Sequence, residues 1–198
     1  MKTQLLISIK IFALFTVLCG IVYPLFITGI AQVAFPEKAN GSLIIQDNKV
    51  IGSELIGQKF DQDNYFWSRP SATDYSTMPS GGSNLGPSSE KLKQQVAERT
   101  AQWNAANPTA APEKIPSEML LASASGLDPH ISPKAALLQV DRIVKVRNLN
   151  DSQKQQLLKS ITELSEAPQF AFLGENRINV LALNIELDKL NEKLSNNH

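Results

Sequence analysis

The run of residues from Ile11 to Pro36 constrains this chain most, because its 26 positions contain no Asp, Glu, Lys, Arg or His. As an α-helix rising ~1.5 Å per residue it would be roughly 39 Å long, which exceeds the ~30 Å hydrocarbon core of a bilayer. Later apolar clusters are short and interrupted by polar residues. We therefore predict a transmembrane anchor over residues 1–36 and one soluble domain over residues 37–198.

A secretory signal peptide is the alternative interpretation of this run, since Gly29-Ile30-Ala31 is similar to a small-residue cleavage site. The apolar core of a signal peptide is usually ~7–15 residues long, whereas here apolar residues continue past that point. Retention as an anchor is favoured. Lys2 and Lys10 lie on the N-terminal side, and Glu37 and Lys38 cancel on the other. This charge bias predicts a cytoplasmic N-terminus and an extracytoplasmic domain.

Small residues recur at every fourth position of the anchor and share one slowly drifting side of the helix, namely Thr16, Gly20, Pro24 and Thr28. Such a stripe lets a second helix approach closely, so we predict that these four residues contact partner helices. Thr, Gly and Pro are also common in membrane spans generally. A purely compositional origin therefore stays open.

The composition of the domain argues against several kinds of partner and cofactor. Residues 37–198 contain 17 basic and 19 acidic residues, so they offer no positive surplus for nucleic acid or anionic lipid. Cys19, the single cysteine, lies in the membrane run, which leaves no intramolecular disulfide and no thiol site for zinc. With only His130 and His198, a histidine metal centre is not expected either.

Hairpin signals and helix signals alternate without a βαβ pattern, which predicts an α+β domain with small antiparallel sheets and several helices. One hairpin is predicted from Ser42–Ile45 and Val50–Ile51, and a second from Phe170–Phe172 and Ile178–Leu181. The segment 52–87 between them is rich in Gly, Pro and Ser and predicts a long loop. Its aromatic residues argue that this loop is ordered, namely Tyr65, Phe66, Trp67 and Tyr75.

Four helices are predicted from capping residues and apolar periodicity. They begin at Ser88 or Ser89, at Pro133 after the N-cap Ser132, after Asn150 with Gln153, and near Leu183. The first ends before Asn107, the second at about Arg147, the third before Pro168 and the fourth at about Leu194. Residues 107–116 predict an extended connector. The expected inward positions are Leu92, Val96, Thr100, Trp103, Ala136, Leu137, Val140, Val144, Leu157, Leu158, Ile161 and Leu164.

Motifs for catalysis are weak in this sequence. Ser88 and Lys91 satisfy S-x-x-K, the pattern of acyl-transfer enzymes that react with penicillin, but the companion K-T-G is absent and chance supplies about one such match. Nucleotide-hydrolysis and zinc-hydrolase signatures are also missing. An anchored acyl-transfer enzyme using Ser88 and Lys91 is the alternative to a non-catalytic chain.

One loop has the composition of an anion-binding cradle, with backbone N–H groups and hydroxyls close to a helix start: Ser80, Gly81, Gly82, Ser83 and Asn84. A flexible turn is the alternative, since no Lys or Arg lies within the loop. Asp128 and His130 are expected to act as turn residues around Pro129 rather than as a catalytic pair.

Several motifs, in order along nearly the whole chain, resemble those of one family. They are Tyr23-Pro24-Leu25, Ala39-Asn40-Gly41-Ser42-Leu43, Gly52-Ser53, Leu55-Ile56-Gly57-Gln58, Phe66 with Arg69-Pro70-Ser71-Ala72, Ser80-Gly81-Gly82-Ser83-Asn84-Leu85, and the stretch from Ala122 to Ile131. The family is that of the C subunits of Kdp-type potassium-transporting P-type ATPases.

This resemblance implies an accessory subunit of an ATP-driven potassium importer in a bacterial inner membrane. Its implied partners are the channel-like A subunit, the pump B subunit, the small F subunit and the surrounding membrane lipid. The resemblance also implies a catalytic chaperone that raises the ATP affinity of the B subunit, with ATP as a candidate ligand of the Ser80 to Asn84 loop. The chain lacks the D-K-T-G-T of a pump and the T-V-G-Y-G of a potassium filter, which assigns catalysis and selectivity to its partners.

Overall fold

The computed structural model describes residues 2–46, 48–109 and 115–195, with side chains described as far as residue 190. It divides into two compact units, one ending at Ser53 and the other beginning at Glu54. The predicted boundary after Pro36 concerns insertion into a membrane and stays a prediction. His198, Asp47 of the first predicted turn and residues 110–114 of the predicted connector lie outside the described residues.

The first unit begins with a long apolar helix, made of α1 (Lys2–Val17), a π-helical turn (Leu18–Val22) and α2 (Tyr23–Ala34). None of its residues is buried. In the described part of the chain it is the one helix long and apolar enough to cross a membrane, with 33 residues. The predicted long apolar helix is therefore present as a candidate membrane span, and it begins nine residues before the charge-free run.

A proline explains the π-helical turn in the middle of this helix. Pro24 has no N–H to donate, and its ring crowds the carbonyl group four residues earlier, at Gly20. The helix widens in the turn just before it, where the Tyr23 N–H donates to the Leu18 carbonyl. A π-turn rotates less per residue than an α-helix, so it offsets the angular drift of residues spaced four apart. Thr16, Gly20, Pro24 and Thr28 therefore stay closer to one line.

A short helix and a hairpin complete the first unit. α3 (Pro36–Ala39) leads to β1 (Leu43–Gln46), which pairs antiparallel with β2 (Lys49–Ser53). Ile44 faces Gly52 and Ile45 faces Val50, so Ile51 is the extra residue of a β-bulge. The first predicted hairpin is confirmed.

The second unit combines five helices with one small sheet in its described part. Its elements are α4 (Glu90–Ala106), a 3₁₀ turn (Ser117–Met119), β3 (His130–Ile131), α5 (Pro133–Leu137), α6 (Val140–Val146), α7 (Asp151–Glu163), β4 (Ile178–Asn179) and α8 (Val180–Ser195). The predicted α+β class is confirmed. Residues 54–89 form the long loop that the sequence predicts.

The predicted N-caps are all present. The Ser89 hydroxyl accepts a hydrogen bond from the Leu92 N–H at 3.4 Å, and the Ser132 hydroxyl accepts one from the Ala135 N–H at 3.1 Å. Asn150 and Gln153 form a reciprocal capping box with distances of 3.0 and 2.8 Å. Because caps satisfy otherwise unpaired N–H groups locally, the start of each of these helices was readable from sequence.

One apolar core holds the second unit together. The order predicted for the long loop is confirmed, because Phe66 and Trp67 are buried in this core. The largest fully buried apolar side chains of the helices and strands are Trp103, Ile131, Val140, Ile143, Leu157, Ile161, Ile178, Val180, Leu183 and Leu187, and Ala136, predicted inward, is fully buried as well. Of the predicted inward positions, Val144, Leu158 and Leu164 pack at its edge, and Leu92, Val96 and Thr100 are half-buried.

The helix predicted from Pro133 to Arg147 is wrong as one element, because the chain breaks between α5 and α6 at Leu138 and Gln139. Leu137, predicted inward, is 49% exposed. Gln139 explains the break. Its buried amide donates to the Ala135 carbonyl and accepts from the Trp67 N–H, so this residue serves the long loop as well as its own helix.

The second predicted hairpin is also wrong. Ile178 pairs with Ile131 and Asn179 with His130, so the partner of β4 is β3, a strand almost fifty residues earlier in the sequence. Phe170 and Phe172, predicted as strand residues, lie in an exposed turn. α8 begins at Val180, three residues before the predicted start. Strands of two residues carry too little periodicity to reveal their partner.

Candidate functional site

The long loop 54–89 carries most of the predicted functional residues, and side chains of α6 and α8 hold it in place. Asn184, fully buried on α8, accepts from the Phe66 N–H at 2.9 Å and donates to the Phe66 carbonyl at 3.1 Å. The Asn184 amide thereby makes the two backbone hydrogen bonds to Phe66 that a neighbouring β-strand would otherwise make. On α8 as well, Asp188 accepts from the Tyr65 hydroxyl at 3.1 Å and pairs with Arg147 at 2.8 Å.

Arg142 is the centre of this arrangement and is only 5% exposed. Its guanidinium donates, at 2.6 to 3.3 Å, to the carbonyl oxygens of Gln62, Asp63 and Tyr65 and to the side-chain oxygens of Asn107 and Gln139. It also lies over the Trp67 ring at 4.5 Å. Burial lowers the pKa of Arg142 to about 10, so the group stays charged at neutral pH. No motif in the sequence pointed to this residue.

The Ser80 to Asn84 loop lies beside a cleft of about 230 Å³ whose other wall is α4. The cleft is lined by Ser71, Gly82, Ser83, Lys91, Gln95 and Arg99, among others. Two of the five predicted loop residues, Gly82 and Ser83, thus line this cleft. The basic residues Lys91 and Arg99 of α4 line it as well. The loop itself lacks these cations, and only the tertiary structure supplies them.

Close backbone contacts fix this loop against the segment that follows Ala122. A Cβ on Gly82 would lie 3.0 Å from the Ala124 carbonyl oxygen. Gly126 has a φ of +73°, and a Cβ there would lie 2.8 Å from the Gly81 carbonyl oxygen. Glycine is therefore required at position 126 for both its backbone conformation and the space it leaves.

A second cavity, of about 240 Å³, adjoins the first through Ser71 and Arg99, which line both. Its walls include Trp67, Trp103 and Tyr75 together with the cations of Lys59 and Arg69. Burial raises the pKa of Tyr75 to about 12, and burial lowers the pKa of Arg99. The Arg99 guanidinium donates to the Leu120 carbonyl at 2.7 Å. Asp61 and Asp74 line the second cavity as well, and both pair with Lys59, at 3.8 and 2.8 Å. The two cavities therefore form one charged and aromatic region on the surface of the domain.

Asp128 is a turn residue, as predicted, and it contacts Arg69 of the second cavity. Its carboxylate accepts from the His130 N–H at 3.0 Å and pairs with Arg69 at 2.6 Å. Burial opposes its ionisation, but the hydrogen bonds from His130 and Arg69 outweigh burial and lower the pKa of Asp128 to about 2. Asp128 is therefore a permanent carboxylate that anchors Arg69, which gives it no capacity to exchange protons near neutral pH.

Ser88, the candidate nucleophile, is exposed and precedes the N-cap of α4. Lys91 lines the cleft, but Ser88 is not among the described residues that line either cavity. In the described part of the chain, no group of three or more His, Cys, Asp or Glu side chains could hold a metal ion. The predicted partner-binding stripe, Thr16, Gly20, Pro24 and Thr28, belongs to the first unit and is exposed along its length.

The described residues combine one N-terminal helix that is long and apolar enough to cross a membrane with an α+β domain. The chain belongs to the family described as "KdpC: K+-transporting ATPase, c chain", whose profile matches residues 5–189. Three relatives are each named "Potassium-transporting ATPase KdpC subunit". The one from Dechloromonas aromatica is 46% identical over 195 residues, covering 97% of this chain and 100% of the relative. Those from Bacillus cereus and Rhodopseudomonas palustris are both 45% identical, covering 96% and 94% of this chain and 98% and 96% of the relatives.

Proposed function

We propose that this chain is a non-catalytic accessory subunit of a potassium-transporting ATPase in a bacterial inner membrane, where it stabilises assembly and supports the pump. The observation that carries the proposal is the family match over residues 5–189, which includes both the anchor and the domain. The proposed partners are the channel-like A subunit, the pump B subunit and the small F subunit. Ion selectivity and ATP hydrolysis belong to these partners.

The anchor contributes to assembly through Thr16, Gly20, Pro24 and Thr28, which the π-turn keeps close to one line. Among the described residues, nothing beyond the adjoining backbone of the helix lies within 4 Å of a Cβ added at Gly20, so a larger side chain there points towards the surroundings of the helix. Gly20→Leu therefore tests contact with a neighbour without disturbing the chain itself. The loss of close packing should be on the order of 1 to 2 kcal/mol.

The experiment is co-purification of the untagged partners with a tagged copy of this chain. Gly20→Leu should lower the recovered partners about tenfold, and Ile21→Leu on a different side of the same helix should not. Equal recovery with both variants would show that the stripe reflects membrane composition alone. Recovery of no partner with the wild-type chain would refute the accessory-subunit function.

The orientation is proposed from charge, with Lys2 and Lys10 in the cytoplasm and the domain outside it. The domain would then dock on the outer face of the channel-like subunit and affect ATP affinity indirectly. Ser152 is exposed at the start of α7, so Ser152→Cys combined with Cys19→Ala provides a single surface thiol. A membrane-impermeant maleimide should label it in intact spheroplasts, and labelling only after lysis would place the domain in the cytoplasm.

If the labelling instead places the domain in the cytoplasm, we propose a second role, in which the cleft beside Ser80 to Asn84 is an anion site with ATP as one candidate ligand. Lys91 and Arg99 in its wall support this role. Lys91→Gln should weaken binding of a fluorescent ATP analogue by the detergent-solubilised chain about tenfold, the effect of one charge-assisted hydrogen bond. Lys93→Gln, on the same helix but paired with Glu90, is the matched control. Equal binding by both variants would contradict an anion site in this cleft.

The alternative of an acyl-transfer enzyme has its own test. A serine-reactive probe should not label the chain, and Ser88→Ala should leave growth on limiting potassium unchanged. Labelling at Ser88 would favour the enzyme over the accessory subunit. The exposed position of Ser88, outside both cavities, supports the accessory role.

A further inference from the structure

A short protruding segment between α7 and β4 has a hydrogen-bonded base and an apolar end. We name residues 166–177 the aromatic arm. At its base, the Glu166 N–H donates to the Arg177 carbonyl at 2.8 Å and the Arg177 N–H donates back at 3.1 Å. The Arg177 guanidinium also contacts the Glu166 carboxylate at 3.0 and 2.8 Å. Nearer the end, the backbones of Gln169 and Leu173 exchange two hydrogen bonds of 2.9 Å.

The tip of the aromatic arm exposes large apolar side chains. Phe170 is 81% exposed, Phe172 is 75% exposed and Leu173 is 51% exposed. Phe170 and Ala171 adopt left-handed backbone conformations, with φ of +53° and +66°, which turn the chain within three residues. Side chains of this size contribute most when buried, and here they are held in water. The tip is thus suited to contact something outside this chain.

The aromatic arm is joined directly to the core of the domain. Ile178, which follows Arg177 directly, is fully buried and pairs with Ile131 in the small sheet. Two bridged pairs then extend from this fixed point to the tip. The backbone that carries the two rings is therefore ordered by hydrogen bonds, which lowers the entropy lost when the tip enters a shaped pocket.

We propose that the aromatic arm docks its two phenylalanine rings into an apolar pocket of a membrane-embedded partner subunit of the same transporter. This inference rests on the proposed function, because it requires an assembled complex. A rigid aromatic centre with a charged pair at its edge is the usual anatomy of a protein interface. The partner pocket should be apolar at its centre and polar where Glu166 and Arg177 meet it.

A lipid surface fits the aromatic arm less well. The arm contains two acidic residues, Glu166 and Glu175, one basic residue, Arg177, which pairs with Glu166, and no Lys, Trp or Tyr. Segments that lie in a membrane interface are typically rich in Lys and Arg, and Trp and Tyr concentrate there. A fluid bilayer also needs no preset arrangement of the rings. The charge and the rigidity of the arm both favour a protein.

The size of the tip indicates how it acts. Two phenylalanine rings contribute roughly 300–400 Å² of contact, well under the ~800 Å² per partner of a stable interface. The arm therefore cannot hold a partner or a second copy in solution by itself. It is effective only when another contact, such as the anchor helix, already keeps the partner at high effective concentration.

Photo-crosslinking in cells tests the proposal directly. p-Benzoylphenylalanine in place of Phe172 should form a covalent adduct with a membrane-embedded subunit of the transporter, identified by mass spectrometry. The same group in place of Gln155, exposed on α7, should give no such adduct. An adduct with lipid alone, or no adduct while the partners still co-purify, would overturn the arm proposal and leave the accessory function intact. Failure of the partners to co-purify would overturn both.

A double variant provides the quantitative measurement. Phe170→Ser with Phe172→Ser should weaken retention of the partners roughly tenfold or more, because aromatic anchors dominate interface energies. Leu137→Ser, another half-exposed apolar position of the same domain, is the matched control and should retain them. Since both phenylalanines are exposed, the melting temperature of the double variant should equal that of the wild type. Equal retention by the double variant and the control would refute the docking role.

Discussion

Replacement of Arg142 by Met is the sharpest test of how the long loop is held. Methionine retains much of the apolar stem of Arg142 but removes the donors that satisfy five oxygen atoms around it. Each buried acceptor that loses its donor costs about 1–3 kcal/mol, although oxygens near the surface recover water. Removing the buried charge also removes the free-energy cost of its desolvation, and this offsets part of the loss. We expect a net loss of about 3–5 kcal/mol in the free energy of unfolding.

The measurement is chemical unfolding of the full chain in detergent micelles, followed by tryptophan fluorescence. Trp67 lies 4.5 Å from the Arg142 guanidinium and reports directly on its environment. Arg142→Lys should also destabilise, by about 2–4 kcal/mol, because an ammonium group cannot reach acceptors spread around a planar fork. Lys154→Met is the control, since its ion pair with Asp141 at 2.7 Å lies on the surface and should contribute little to stability.

One result would refute this reasoning about Arg142. If Arg142→Met unfolds at the same or a higher denaturant concentration than the wild type, the desolvation cost of the buried charge exceeds the value of its hydrogen bonds. The long loop would then be held by Phe66 and its contacts with Asn184 rather than by the guanidinium.

Two further predictions use the same unfolding assay. The pKa of Asp128 is about 2 in the folded chain, below its ordinary 3.8, so its contribution is complete above about pH 4 and is lost as the pH falls towards 2. In Asp128→Asn, the fall in the free energy of unfolding between about pH 4 and pH 2 should be smaller than in the wild type by on the order of 1–2 kcal/mol. An unchanged dependence of stability on pH would contradict the lowered pKa of Asp128. Asn150→Ala should cost about 1 kcal/mol by opening the capping box of α7, whereas Ser152→Ala, with no role in the cap, should cost almost nothing.

The membrane helix and the helix starts were predictable from sequence because each depends on residues close together in the chain. A run of apolar residues long enough to span a bilayer needs no partner to be recognised. Ser89, Ser132 and Asn150 bond to N–H groups within three residues, so their capping roles follow from local spacing. In the first hairpin Gln46 pairs with Lys49, so the two strands lie close together in the sequence and their pairing is set locally.

Local patterns were misleading where a distant partner decides the structure. The periodicity from Pro133 to Arg147 fits one helix. Gln139 and Arg142, however, form hydrogen bonds with residues 62–67 of the long loop, more than seventy residues earlier. The pairing of Ile178 with Ile131 depends on how α5, α7 and α8 enclose the core. No short window of sequence contains that information.

The candidate sites divide in the same way. Sequence alone determined that the chain has one apolar run long enough to span a membrane, a glycine-rich loop from Ser80 to Asn84 and no familiar catalytic signature, because composition and short motifs are properties of contiguous residues. Only the tertiary structure decided that Lys91 and Arg99 line the cleft beside that loop. It also decided that the buried Arg142 binds the carbonyl groups of residues 62, 63 and 65. The exposure of Phe170 and Phe172 likewise follows from the folded structure. Burial and charge pairing are properties of the folded surface, and they depend on contacts between residues far apart in the chain.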